Sequence, residues 1–201
     1  MTVMEKLVIA SGNAGKIKEI KTILNKLPFN VVSMRDEGYN TDFDETGATF
    51  RENALIKANT LKRAVNGIVL ADDSGLEIDF LNGAPGIFTS RFAGENAHQH
   101  EKNIKIINLL KGIDEKYRTC RFVCAIAFVS DKISFTVEES TEGIISCEPR
   151  GDAGFGYDPI FFVPEYGKTF AELPESIKNR ISHRAKALEK LHRELSVIYG
   201  I

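Results

Sequence analysis

The 201-residue sequence predicts an α/β protein, and three observations carry the prediction. An apolar run near the start passes through a glycine turn into a helical pattern. A capped amphipathic segment then leads into a second, wholly apolar run, and two long apolar segments joined by a polar triplet read as a β-hairpin. With 43% hydrophobic residues, the chain can bury a real core as one sizeable domain, 1–201, or as two lobes sharing a sheet. Its 26 Lys and Arg nearly cancel 28 Asp and Glu, so composition predicts neither a nucleic-acid nor a membrane-surface partner. Any polyanion must meet a local cluster. Cys120, Cys124 and Cys147 are odd in number and form no CxxC pair, which reads as reduced core thiols in a cytoplasmic protein. No run reaches a membrane-spanning length, and Met1 to Lys6 carries Glu5 ahead of only a short apolar stretch, unlike a targeting signal.

The first element is the strand Lys6–Ala10. It ends in Ser11-Gly12-Asn13-Ala14-Gly15-Lys16, after which Ile17, Ile20, Leu24 and Leu27 recur at helical spacing. Backbone N–H groups at such a helix start favour an anion, and Lys16 adds a mobile positive charge; the alternative is a tight turn capped by Asn13. The spacing is not that of a Walker A loop, because Ile17 stands where Ser or Thr would hold Mg²⁺. Phe29–Met34 is a second strand, and the polar loop 36–47 carries Asp42, Asp44 and Glu45. Thr49 and Glu52 form a capping-box pattern that opens a helix through Ala54, Ala58, Leu61 and Val65. Lys57, on that helix, is either a solvated lysine or a group that reaches an anion.

The third strand, Gly67–Ala71, runs into Asp72-Asp73-Ser74-Gly75. Asp, Ser and Gly are common turn residues, yet two adjacent carboxylates repel each other, and keeping both ionised calls for a cation or a pKa shift. Carboxylate oxygens are also the preferred ligands of Mg²⁺. Leu76–Ile78 continues as a short strand, 82–86 is a glycine–proline loop, and His98–Leu110 is a helix without zinc-ligand spacing. Arg121–Val129 is apolar on both alternations, as in a central strand, and Ser130-Asp131-Lys132 returns the chain into Ile133–Glu138. The loop Gly151–Pro159 carries Phe155, Tyr157 and Asp158 between glycines. Its rings either lie on a planar ligand such as a nucleobase or plug the core. Ile160–Val163 is a strand, and a last helix begins near Ser182, with Lys178, His183 and Arg184 around its start.

Together these stretches resemble the inosine triphosphate pyrophosphatase-like family over nearly the whole chain. The resemblance rests on Ser11–Lys16, Asp44–Phe50, Glu52–Ala54 with Lys57, Asp72–Gly75, Gly83–Gly86, Gly154–Pro159 and Ser182–Arg184. It implies an α/β fold with a long twisted mixed sheet flanked by helices, two lobes with an active-site cleft between them, and a homodimer. The implied reaction is hydrolysis of inosine, deoxyinosine and xanthosine triphosphates to the monophosphate and pyrophosphate, which clears deaminated purines from the nucleotide pool. By residue-wise carry-over, Asp73 is the catalytic carboxylate and binds Mg²⁺, or Mn²⁺, together with Asp44, with Asp72 and Glu45 as alternates. Ser11, Gly12, Asn13, Ala14, Gly15, Lys16 and Ser74 hold the phosphates, with Lys57 nearby. Phe155 stacks on the purine, with Gly156 and Tyr157 in the same loop, and Asp158, Lys178, His183 and Arg184 line the base edge. Two departures are mild: Ser11 stands where the family usually has Thr, and Asp44 where it usually has Glu. The rival readings are a nucleotide sensor without turnover, against which the Asp72-Asp73 pair argues, and a pyrophosphatase for pyrimidine or modified triphosphates.

Overall fold

The computed structural model describes residues 4–25, 27–94 and 97–200. Its strands are β1 (Glu5–Ile9), β2 (Phe29–Ser33), β3 (Ile68–Ile78), β4 (Thr119–Val129), β5 (Ser134–Ile145), β6 (Phe161–Val163) and β7 (Lys168–Thr169). They hydrogen-bond as one seven-stranded sheet in the order β2-β1-β3-β4-β5-β6-β7. The sheet is mixed: β1 pairs parallel with β2 and β3, whereas β6 pairs antiparallel with β5 and β7. The helices are α1 (Ala14–Leu24), α2 (Phe50–Lys62), α3 (Gln99–Leu109), α4 (Glu175–Ile181) and α5 (His183–Tyr199). None of the described helices is long and apolar enough to cross a membrane.

The chain divides into two compact units. The first comprises Met1–Asp73, Cys124–Glu139 and Arg184–Ile201. Its core joins Leu7 and Ile9 of β1, Ile68 and Leu70 of β3 and Cys124, Ile126 and Phe128 of β4 to Ile20 and Leu24 of α1 and Leu188, Leu191 and Leu195 of α5. These strand residues are alternate positions, so they share one face of the sheet. The periodicity of α1 therefore has a structural cause, although Leu27 packs from beyond the helix end rather than from within it. The second unit comprises Ser74–Val123 and Ser140–His183. Its core is richer in rings, with Phe122 packed between Phe161, at a centroid distance of 4.4 Å, and the His183 imidazole, at 4.7 Å.

Three elements differ from the sequence expectation. Asp72-Asp73-Ser74-Gly75 is not a turn: β3 runs unbroken from Ile68 to Ile78 through both carboxylates. Turn-forming composition is overridden because the Asp side chains find buried cations within the first unit, so the extended backbone persists. The second hairpin strand continues to Ile145, and the segment before α5 folds as the separate helix α4. Cys120 and Cys124 are buried as expected, but Cys147 is exposed, and no disulfide joins the described residues.

The capping box at Thr49 forms in a shifted version. Thr49 Oγ1 accepts from Glu52 N at 3.2 Å, while the Glu52 carboxylate accepts from Ala48 N, one residue earlier than the standard pattern, at 2.6 Å. After β2 the chain turns on Asp36, whose carboxylate accepts from Lys21 Nζ at 2.8 Å and from Ser33 N at 3.1 Å. These bonds, that of Lys21 foremost, pull the Asp36 pKa from 3.8 down to about 2. The ionised side chain therefore favours the fold above its unfolded pKa, and that contribution is lost as pH falls through the folded value. An NMR titration of the Asp36 carboxyl carbon is expected to give a midpoint of about 2, and Lys21→Ala to move it back toward 3.8. An unshifted midpoint in the unsubstituted protein would remove this tie.

Candidate active site

The site is organised by side-chain alternation along β3. Asp72 continues the face of Ile68 and Leu70, and Asp73 the face of Val69 and Ala71, so adjacent carboxylates point away from each other. Asp72 is 1% exposed and Asp73 6%. Mutual repulsion is relieved by geometry, and each carboxylate meets its own cations.

Asp72 gathers α1, α5 and β4 around itself. Lys16 Nζ lies 2.5 Å from its Oδ1, a contact that pairs charge without hydrogen-bond geometry. Its Oδ2 accepts from Arg184 Nε at 3.2 Å and from the Cys124 thiol at 3.0 Å. Burial alone would raise the Asp72 pKa, but Arg184, Lys16 and Lys57 together outweigh it and hold the group well below the usual carboxylate range. The Cys124 thiol is pushed up, first by burial and then by Asp72, so it stays a neutral donor.

On the opposite face, Lys57 of α2 bridges two carboxylates. Its Nζ lies 2.7 Å from Asp73 Oδ1 and 3.1 Å from Glu45 Oε1. Lys57 is 6% exposed, which removes the solvated-lysine reading. Burial opposes its charge, but Asp73, Glu45 and Asp72 more than compensate, and its pKa is raised. Asp73 is also shifted up, because burial exceeds the pull of Lys57 and Lys16. Its Oδ2 is buried and makes no hydrogen bond among the described residues. Of the acidic loop's carboxylates, Glu45 is the one that reaches Lys57, while Asp44 beside it is exposed. The loop is pinned to α2 by Gly47 N, which donates to Asn53 Oδ1 at 2.8 Å. A Cβ at Gly47 would stand 2.7 Å from Glu52 Cβ, so only glycine permits this approach.

The glycine turn sits at the carboxyl end of β1. Ala10 N donates to Leu70 O at 2.8 Å, Asn13 N to Ser11 Oγ at 3.2 Å, and Lys16 N to the Asn13 side chain at 3.1 Å. Asn13 is thus the N-cap of α1, and Ala14 and Gly15 are its first two residues, whose amides have no intrahelical carbonyl. Gly12 is exposed and Ser11 buried. In the order β2-β1-β3-β4 the chain leaves β1 toward one edge of the sheet and β3 toward the other, so the strand order reverses between β1 and β3, the kind of place beside which α/β sheets bind ligands at their carboxyl ends.

The second unit brings together Phe155, Asp158 and Lys178. Lys178 Nζ lies 2.6 Å from Asp158 Oδ2 and 4.6 Å from the centroid of the Phe155 ring. Asp158 Oδ2 also accepts from Phe155 N at 2.8 Å. A Cβ at Gly154, whose φ is +77°, would come 2.1 Å from that same oxygen, so the glycine makes room for the carboxylate. The two aromatics of the loop divide: Phe155 is half-buried, whereas Tyr157 is 3% exposed and donates its hydroxyl to Thr89 O at 2.9 Å. Gly156 accepts from Asn103 through its carbonyl at 3.5 Å. Ser74 is half-buried within β3, and His183 stacks in the core on Phe122.

Arg184, also expected at the base edge, has its printed partners within the first unit. It belongs to the first unit, is 1% exposed, and spends its guanidinium on Asp72 and on Glu19 of α1. Glu19 and Cys124 are the members of this cluster that sequence reasoning missed. The signal for Glu19 was an acidic residue one place before the buried Ile20, a position at the edge of the helix's apolar face.

A model of the Ham1 family matches residues 7–194. The chain is 47% identical to a dITP/XTP pyrophosphatase of Bacillus subtilis, over 97% of this chain and 99% of that protein. It is 46% identical to the Clostridium perfringens dITP/XTP pyrophosphatase, with the same shares covered. Among solved structures, the Staphylococcus aureus Ham1 protein superposes with a TM-score of 0.85 at 39% identity, covering 95% of this chain and 98% of that one. A HAM1 protein from Coxiella burnetii gives 0.85 at 42%, covering 96% and 99%.

The Glu19–Arg184 pair makes a stability prediction. Removing Glu19 takes a charge-assisted bond from the buried Arg184 guanidinium, which keeps its pairing with Asp72, so Glu19→Ala is expected to lower unfolding free energy by about 1.5–3 kcal/mol in a urea titration. A loss below about 1 kcal/mol, the ordinary value for an exposed pair, would show the contact to be peripheral.

Proposed function

The chain belongs to the Ham1 family, and on that premise we propose that it is a pyrophosphatase for deaminated purine nucleoside triphosphates. It hydrolyses dITP, ITP and XTP to the monophosphate and pyrophosphate, clearing these nucleotides from the pool. The relatives' names support the reading, and one observation in the structure carries it. Beyond the glycine turn's end of the sheet, a buried carboxylate, Asp73, with one oxygen free of hydrogen bonds among the described residues, shares the Lys57 ammonium with Glu45.

The residues present fit a hard divalent cation. Among the described residues no three His, Cys, Asp or Glu side chains converge on a metal position. Mg²⁺ is commonly held by one or two carboxylates, with substrate phosphates and water completing its shell, so a closed protein cage is not required. Asp73 and Asp44 would hold the ion, with Glu45 as the loop carboxylate already turned toward Asp73's partner lysine. Bound there, Mg²⁺, or Mn²⁺ in its place, neutralises phosphate oxygens and polarises phosphorus.

Asp73 accepts the proton of the attacking water, whose oxygen bonds to the α-phosphorus as the bond to the pyrophosphate oxygen breaks. Its raised pKa suits a group that must take up a proton, and Lys57 holds it in place. Ser11 to Lys16 and Ser74 receive the phosphates, the turn through its N–H groups and Lys16 by exchanging Asp72 for a phosphate oxygen. Phe155 stacks on the purine, Gly156 and Tyr157 shape the loop, and Asp158, Lys178 and His183 address the base edge. A 6-keto purine offers an acceptor where adenine offers a donor, so donors at this edge favour hypoxanthine and xanthine. Each buried donor left unpaired against adenine costs about 1–3 kcal/mol. Arg184, held by Asp72 and Glu19, acts by keeping Asp72 in place. A homodimer and a cytoplasmic setting complete the reading on family grounds alone.

Pyrophosphate release from ITP, dITP, XTP, GTP, ATP, CTP and UTP tests the proposal. Preferential cleavage of the first three with Mg²⁺, and none with a chelator, is expected; even cleavage across the panel would leave the phosphate chemistry and reject the base recognition. Asp73→Asn is expected to lower kcat by about a thousandfold or more while the circular dichroism spectrum stays unchanged. Retained turnover would take Asp73 out of the catalytic role.

A further inference from the structure

Resting on the triphosphate reading above, we infer that Arg35 is a further substrate-binding residue of this chain, its guanidinium laid across the glycine turn to grip the phosphate chain. Three observations within the first unit lead to it. The register pairs Ile9 with Ser33, and Met34 N donates to Ile9 O at 3.0 Å, so Arg35 leaves the sheet beside Ser11 and Gly12. A Cβ placed on Gly12 would lie 3.2 Å from Arg35 Nη2, which sets the guanidinium directly over the turn. Finally, the carboxylates next to Arg35 in sequence are engaged elsewhere: Asp36 holds Lys21 at 2.8 Å and Glu37 holds Lys6 at 2.5 Å. Among the described residues no carboxylate lies within 4.0 Å of the Arg35 guanidinium.

Charge balance gives this placement a purpose. Lys16, Lys57 and Arg184 face Asp72, Asp73, Glu45 and Glu19, three formal positive charges against four negative, and each cation already contacts a carboxylate. A polyphosphate approaching the turn therefore needs positive charge that is not already spent on protein carboxylates. Arg35 supplies it in a form suited to phosphate, because its planar fork donates two parallel hydrogen bonds to two oxygens. The turn of Asp36 on Ser33 holds the backbone of this residue, so the side chain is presented from a fixed base.

Arg35 is exposed, and its replacement leaves the core untouched. Steady-state kinetics of Arg35→Ala with dITP are expected to show KM raised about tenfold, with kcat changed less than about twofold, as for loss of a charge-assisted contact made equally before and during reaction. Arg35→Lys is expected to recover part of the loss, since a point charge replaces the fork. A KM within about twofold of the unsubstituted protein for Arg35→Ala would overturn the assignment and make Arg35 a solvated surface arginine. Should the unsubstituted protein release no pyrophosphate from any purine triphosphate, the proposed function fails, and calorimetric titration with inorganic tripolyphosphate decides Arg35 separately. Binding weakened about tenfold in Arg35→Ala would uphold it, and equal binding would reject it.

Discussion

Two consecutive carboxylates can be buried and ionised together only if each finds a cation of its own, and strand β3 satisfies this by its pleat. Asp72 turns toward Lys16 and Arg184, Asp73 toward Lys57. That single alternation decides which helices contribute to the site: α1 and α5 on one face, α2 with the acidic loop on the other. Breaking the strand at this point, as its composition suggests, would place both carboxylates in water and remove the reason for the cluster.

The two faces have different character. Around Asp72 several partners converge, with the Lys16 contact, the Arg184 and Cys124 bonds and the Glu19 tie forming an ionic network. Such networks gain little net stability over an apolar core but are severely penalised when one member is lost, so they fix geometry more than they stabilise. Around Asp73 fewer groups gather: Lys57 pairs with it and is shared with the loop carboxylate Glu45. A face crowded with ionic partners that positions and a sparser face that can accept a ligand is a sensible division for a site built on adjacent residues. The second unit repeats the economy on a smaller scale: one Asp158 oxygen ties the Phe155 amide and the Lys178 ammonium, and Gly154 leaves room for it.

Much of this was written in the chain order. Apolar runs bounded by turn residues located every long strand, the Thr49 cap located α2, and the glycine turn with Asn13 located α1, because those features depend on neighbours within a few residues. Lys16, Asp72, Asp73, Phe155 and Asp158 stood out because a lysine in a glycine turn, paired carboxylates and glycine-flanked rings are chemically unusual, whereas Lys57 and Lys178 gained a role only from the family resemblance.

What the sequence determined by itself was therefore local: where the strands and helices lie, which residue types could do phosphate chemistry, and the family to which their order points. Only the tertiary structure decided that Asp72 and Asp73 sit within an unbroken strand, that Arg184 serves Asp72 through a partner more than a hundred residues away, and that Tyr157 fills the core while Phe155 does not. It likewise decided that Glu19 joins the network around Asp72 and that Arg35 overlies Gly12. The physical reason is common to all of these. A side chain's partner across a sheet or between packed helices is fixed by register and burial, and those are properties of contacts distant in sequence, which no local pattern records.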